Sequence, residues 1–286
     1  MERKEIDTIS FTGGGVNGLK SAFIYKNLDP LIDYDVMSGT SVGALIVALI
    51  ECGYSADDII EIFIKEMPLI FNKKCFRYGF KRSKYNNSYF KSAIKNYIGE
   101  KRMGDCKKLL IFPAINADLD RVKIFKSHHK GDEGVLLSDA VLASASAPMY
   151  FDMINIHGMM YKDGGVGYNN PADLILKECQ VIGYGTINIT SISTGKKKGK
   201  STKGEVRGGI IGGLKPFITD SFREQDIKVH NNLVHDYKYL QKGTYKRLES
   251  ITYFSSGKID DASKKNVRNL VLDGEESVRI INSNKL

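Results

Sequence analysis

Apolar positions fall into two alternating rhythms along this chain. Ile6–Phe11 alternates loosely and runs into Gly13-Gly14-Gly15, which reads as a strand ending in a glycine turn. Leu19, Ala22 and Phe23 share one side of a helix over Leu19–Leu28. Tyr34–Met37 is a short buried strand. Gly39–Gly43 separates it from an apolar helix, Ala44–Cys52, which Gly53 caps. Ser55 and Asp58 mark a capping-box start for a helix through Ile59–Met67, which Pro68 is expected to stop. Tyr89–Ile98 is helical, Leu109–Ala114 and Arg121–Phe125 are strands, and Ser138–Ser144 is a helix that Pro148 stops. Gly158–Tyr161 leads into Asp163-Gly164-Gly165, and Gly185–Ser193 is a strand ending at Thr194-Gly195. Ile218, Phe222, Val229, Leu233, Tyr237 and Leu240 recur at helical intervals, so one long helix covers 216–241. Lys246–Phe254 is a late strand, and two short helices close the chain. Strands alternating with helices predict an α/β fold with a mostly parallel sheet covered on both faces.

The 286 residues hold no internal repeat and no linker, so a single domain over 1–286 is expected. Two stretches stand apart. In 69–108 lysine and arginine far outnumber Glu100 and Asp105, and Phe71, Phe76, Tyr78, Phe80, Tyr85, Tyr89, Phe90 and Tyr97 lie among them. This basic aromatic insertion suits either an anionic membrane surface or an ordinary solvated face with core aromatics. The Lys- and Gly-rich 196–209 reads as a mobile loop.

The net charge of +9 draws the protein to anionic partners without choosing among them. No RNA- or DNA-binding motif is visible, which argues against nucleic acid. The four cysteines show no metal spacing and no disulfide framework, so a reducing, cytoplasmic setting is expected. The start MERKEIDTIS has no apolar signal core, and the apolar run Ala44–Ile50 is far too short to span a bilayer. The expectation is a soluble protein whose membrane contact is at most peripheral.

Three motifs carry chemistry. Gly39-Thr40-Ser41-Val42-Gly43 is a G-x-S-x-G between a strand and an apolar helix. It is open to two readings: an ordinary strand–helix turn, or a turn that pushes a serine clear of the backbone, with the small residues on either side, Gly39 and Gly43, preventing collisions. The positive end of the following helix would favour developing negative charge at Ser41. The second motif, Gly13-Gly14-Gly15-Val16-Asn17-Gly18, is open to three readings: an oxyanion hole, a tight turn without a ligand, or a dinucleotide loop. The last expects an acidic residue at the end of the second strand, where Ser38–Gly43 stands instead. The third motif, Asp163-Gly164-Gly165, is a common turn sequence that can also hold a carboxylate rigidly. A serine triad needs a histidine, yet none of His128, His129, His157, His230 and His235 has a triad context. What remains is deprotonation by a carboxylate within hydrogen-bond reach, improved by a pKa raised through burial.

Together the glycine turn, G-T-S-V-G, Asn116-Ala117-Asp118-Leu119, Ala143-Ser144-Ala145-Ser146-Ala147-Pro148, D-G-G, Ser193-Thr194-Gly195 and Asp260-Asp261-Ala262-Ser263 resemble the patatin-like phospholipases in order and spacing. The resemblance covers nearly the whole chain. It implies a three-layer α/β/α fold and hydrolysis of lipid acyl esters without metal or organic cofactor. It makes Ser41 the nucleophile, Asp163 its base, and Gly13, Gly14, Gly15 and Gly18 the oxyanion loop, with Gly39, Gly43, Gly164 and Gly165 supporting the motifs. A phospholipid or other acyl-ester lipid is the implied substrate. One departure is Asn17, where many members carry Arg. A catalytically idle lipid-binding or scaffolding protein on the same fold is the competing expectation.

Overall fold

A computed structural model describes residues 4–28, 30–72, 83–85, 87–195 and 209–284. The loop expected at 196–209 falls almost wholly outside the described residues, as do Phe76, Tyr78 and Phe80 of the basic aromatic stretch.

Among the described residues eight strands form one sheet: β1 (Glu5–Phe11), β2 (Val36–Gly39), β3 (Leu109–Asn116), β4 (Arg121–Lys126), β5 (Ile154–Ile156), β6 (Met159–Asp163), β7 (Thr186–Ser193) and β8 (Tyr245–Glu249). They run in the order β5-β6-β3-β2-β1-β7-β8, with β4 paired to β3. The β3-β2-β1-β7-β8 part is parallel, and β4, β5 and β6 are antiparallel additions. Alternate residues of each strand enter opposite cores. Ile9, Phe11 and Met37 pack beneath α1 (Gly18–Lys26), α2 (Val42–Glu51), α3 (Ala56–Ile70), α4 (Asn87–Ile98) and α5 (Leu137–Ala145). Ile6, Val36 and Ile111 pack beneath α7 (Ala172–Ile182) and α8 (Gly209–Tyr239). The result is the expected three-layer α/β/α arrangement, with α6 (Gly165–Tyr168) a single turn at the sheet's end.

The register of β3 sets the site. One edge of β3 pairs with β4 from Ile111 to Asn116. On the other edge β2 pairs through Ser38 opposite Ile111, and β6 takes over with Asp163 opposite Ala114. The C-terminal ends of β2 and β6 therefore meet head-on along one strand, about 10 Å apart at these registers. Pro113, with no N–H to give to a ladder, stands at the gap between them.

Several elements depart from the sequence reading. Ser55 and Asp58 do form a capping box, but α3 runs through Pro68 to Ile70. The proline removes one bond to the carbonyl of Ile64, a residue on the solvent side, so water can replace it. The close of the chain is one 20-residue helix, α9 (Lys264–Ser283), not two short ones. Gly274 interrupts its composition but lets Phe23 of α1 pack directly on its backbone. The reading gave no element for α7 or for β5, and it ran β8 five residues too far.

Candidate active site

Ser41 occupies the turn between β2 and α2 with φ 56° and ψ −121°, a conformation that costs a non-glycine residue about 1–3 kcal/mol. The surroundings compel it. A side chain on Gly39 would lie 2.3 Å from the Gly43 backbone, and one on Gly43 would lie 2.3 Å from the Phe11 carbonyl oxygen. The turn closes only with glycine at both positions. Thr40 N–H donates to the Phe11 carbonyl at 3.1 Å, and its hydroxyl donates to the Tyr168 carbonyl at 2.6 Å. Ser41 N–H donates to Ser144 Oγ at 3.1 Å.

Asp163 ends β6 and is fully buried. Its N–H donates to the Ser146 carbonyl at 3.0 Å, and Oδ1 accepts from Gly165 N–H at 2.6 Å. Gly164 lies against the Pro113 carbonyl, where a side chain would come within 2.2 Å, and Gly165 lies against the Phe222 ring. Oδ2 completes no hydrogen bond of ordinary geometry. The Ser41 hydroxyl nevertheless lowers this carboxyl's pKa, so it stands close without a fully formed bond. Resting catalytic contacts are commonly loose in this way. Burial pushes the Asp163 pKa up; Gly165 N–H and Ser41 pull it partly back, leaving it at about 7.

The segment Ser144–Ser146 joins the two groups. Ser144 Oγ takes the Ser41 N–H, the Ser144 carbonyl takes Gly164 N–H at 3.4 Å, and the Ser146 carbonyl takes Asp163 N–H. The A-S-A-S-A-P block thus bridges two points 122 residues apart. The sequence marked the block but not this task for Ser144.

The glycine turn divides into used and open amides. Gly13 N–H donates to the Asn169 carbonyl at 3.1 Å, and Gly18 N–H is taken by the carbonyls of Gly15 and Val16. Among the described residues, Gly14 N–H and Gly15 N–H have no acceptor. Asn17 orients them. Its N–H and its Nδ2 both donate to the Gly14 carbonyl, at 3.2 and 3.1 Å. In a trans peptide that turns Gly15 N–H the opposite way. Gly15 has φ +57° and abuts the Ile259 carbonyl, which also accepts Val16 N–H at 2.9 Å.

Ser41, Asp163 and Gly15 line one cavity of about 860 Å³, counting its open mouth. Its walls are Val42 and Leu45 of α2, the inner faces of α3 and α4, Tyr150 and Phe151, with Phe222 beside Gly165 and Ile259 beside the glycine turn. Phe71, Phe90 and Tyr97 of the basic aromatic stretch turn into this cavity, and buried Tyr85 packs on Phe71 and Phe151. No histidine lines it. Asp33 and Asp35 lie at the far end of β2, paired with Lys108 at 2.6 and 3.5 Å. Neither of them therefore stands where a ribose-binding acid at the end of the second strand would. Among the described residues no cluster of His, Cys, Asp and Glu has a metal-holding arrangement, and no helix is long and apolar enough to cross a membrane.

Comparison with known proteins adds a family. A model described as patatin-like phospholipase matches residues 9–176. Patatin-like protein 2 of Oryza sativa subsp. indica is 26% identical, with 95% of this chain and 83% of that protein covered. A cGAMP-activated phospholipase of Vibrio cholerae serotype O1 is 25% identical over 62% of this chain and 58% of its own length. Among solved structures, VipD from Legionella pneumophila aligns with 96% of this chain and 67% of its own, at 11% identity and a TM-score of 0.49.

Proposed function

Because the chain belongs to the patatin-like phospholipase family, we propose that it cleaves acyl esters of phospholipids through a Ser41–Asp163 dyad. Asp163 accepts the hydroxyl proton as Ser41 Oγ attacks the ester carbonyl. The tetrahedral oxyanion is held by the N–H groups of Gly14 and Gly15, aided by the positive end of α2. The oxyanion collapses, the lysolipid alcohol leaves with the proton from Asp163, and an acyl-serine remains. Water, deprotonated by Asp163, then attacks that ester and releases the fatty acid and Ser41. The reaction as written uses no cofactor.

The observation that carries this reading is a serine strained at the mouth of α2, beside a buried carboxylate, both opening into one apolar cavity. A carboxyl with a pKa of about 7 is matched to proton transfer near neutrality. Of the expected oxyanion glycines, Gly13 and Gly18 serve as scaffold in this scheme. The net charge of +9 suits brief contact with an anionic, cytoplasm-facing membrane that supplies the lipid.

The test is product analysis from mixed phospholipids beside Ser41→Ala. The wild type should release fatty acid and lysolipid, and the variant should lose about a thousandfold or more of the rate while keeping its melting temperature. A folded Ser41→Ala protein that releases fatty acid at the wild-type rate would refute the assignment. A wild type that binds vesicles, releases nothing and takes no fluorophosphonate label would mark an idle lipid binder instead.

A further inference from the structure

The cavity above Ser41 is lined by apolar side chains with two carboxylates among them: Asp163 at the nucleophile, and Glu66. The acyl transfer has no task for Glu66, and a carboxylate on an acyl-binding wall costs desolvation. It is held with care. Oε2 accepts from the Tyr89 hydroxyl at 2.7 Å, and Oε1 accepts from the Tyr97 hydroxyl at 2.8 Å, with Lys65 Nζ at 3.4 Å. Tyr89 and Tyr97 stand two helical turns apart on α4. Between them sits Ala93, small enough to let the carboxylate lie against the helix. Burial pushes the Glu66 pKa up, but the two hydroxyls and Lys65 together bring it below the usual range, so it is ionised at neutral pH.

Its place along the cavity follows from α2. Ser41 precedes the N-terminal end of α2, and Tyr54 lies just beyond its C-terminal end. The Tyr54 hydroxyl donates to the Tyr97 carbonyl at 3.0 Å, and the two rings are 6.1 Å apart. Among the described residues α2 lines the cavity with its first turn, Val42 and Leu45, and the wall then passes to α3 and α4. The cavity therefore leads from the hydroxyl along the start of α2 and then between α3 and α4 to the Glu66–Tyr97 pair.

We propose that Glu66 and Tyr97 close the distal end of the acyl channel, so that the enzyme takes acyl groups that end before this pair and rejects longer ones. The inference rests on Ser41 being the acylated residue. The path from Ser41 to this pair sets the longest acyl chain that fits extended. Each methylene buried before that limit strengthens binding about fourfold. The first methylene beyond it meets an ionised carboxylate and must strip it of its tyrosine hydroxyls or bend back.

The experiment compares kcat/KM for p-nitrophenyl esters of about four to about eighteen carbons. The proteins are wild type, Glu66→Leu, Glu66→Gln and Ser41→Ala, each first shown to melt cooperatively. Wild-type activity should climb with chain length to an optimum inside this series and fall about tenfold or more over roughly the next four carbons. Glu66→Leu should raise the ratio of long- to medium-chain activity at least about tenfold, and Glu66→Gln should raise it less. Should Glu66→Leu fail to fold, Ala93→Leu replaces it and should move the optimum to shorter chains. An unmoved length profile in a folded variant, or a wild-type profile still rising at the longest ester, overturns the channel limit. A wild type no more active than Ser41→Ala on every ester overturns the hydrolase reading itself. Ester hydrolysis lost with Ser41 but indifferent to Glu66 overturns the inference alone.

Discussion

The two ends of the cavity are fixed by different means. At the Ser41 end the main chain is what is held: two strand ends meet on β3, the carbonyls of Ser144 and Ser146 take Gly164 N–H and Asp163 N–H, and the Ser144 hydroxyl takes Ser41 N–H. At the Glu66 end side chains do the holding, through tyrosine hydroxyls on one carboxylate. Backbone fixation suits groups that must stay within a fraction of an ångström of a reacting atom. Side-chain fixation suits a wall that need only be in place, and single substitutions can reset it.

The sharpest way to break this contrast is Asp163→Asn. It should lower kcat/KM about a thousandfold, while the wild-type rate climbs with pH and levels off above about 7. Stability should move the other way. The folded-state pKa is raised from 3.8, so between about 3.8 and 7 the unfolded chain gives up a proton that the folded protein keeps. Wild-type stability therefore falls as pH rises through that window. Melting curves of Asp163→Asn and wild type should be closest near pH 4 and should separate by pH 8, with the variant higher. A variant that melts lower at pH 8 would contradict the cost assigned to burying this charge.

Ser144→Ala should have a smaller effect. Freed from its acceptor, the Ser41 turn can drift, and kcat should drop about ten- to a hundredfold with KM little changed. An equal rise in KM would instead mark a general loosening of the cavity. Tyr97→Phe, at the other end, should be mildest. Losing one hydrogen bond to Glu66 should cost about 1 kcal/mol in urea unfolding, with kcat on short esters moving far less than in Ser144→Ala.

Much of this design is legible in the residues. The glycine turn, Gly39 to Gly43 and the apolar helix behind them state a strand–turn–helix unit in their local order, although only Gly39 is required by a near neighbour, Gly43, while Gly43 is required by Phe11 and Gly15 by Ile259. Asp163-Gly164-Gly165 states only a turn; that it abuts Pro113 and faces Ser41 depends on the β3 register, which no local pattern encodes. Pro68 misleads because its effect hinges on whether the Ile64 carbonyl faces water. Gly274 resembles a helix break because its use, a close approach of Phe23, is tertiary. Asn17 stands out in the sequence only as a missing arginine, whereas in the fold it sets the tilt of one peptide. Glu66 sits in an amphipathic helix among other acids, and nothing in its neighbours reveals that it faces a cavity.

The head-on meeting of β2 and β6 also bears on when the protein can act. During synthesis the serine emerges before the carboxylate, which follows more than a hundred residues later. Until β6 docks on β3 there is a hydroxyl with no proton acceptor and a turn with nothing behind it. The proposed dyad should therefore assemble as a single late event in folding, when β6 docks on β3, and not build up gradually.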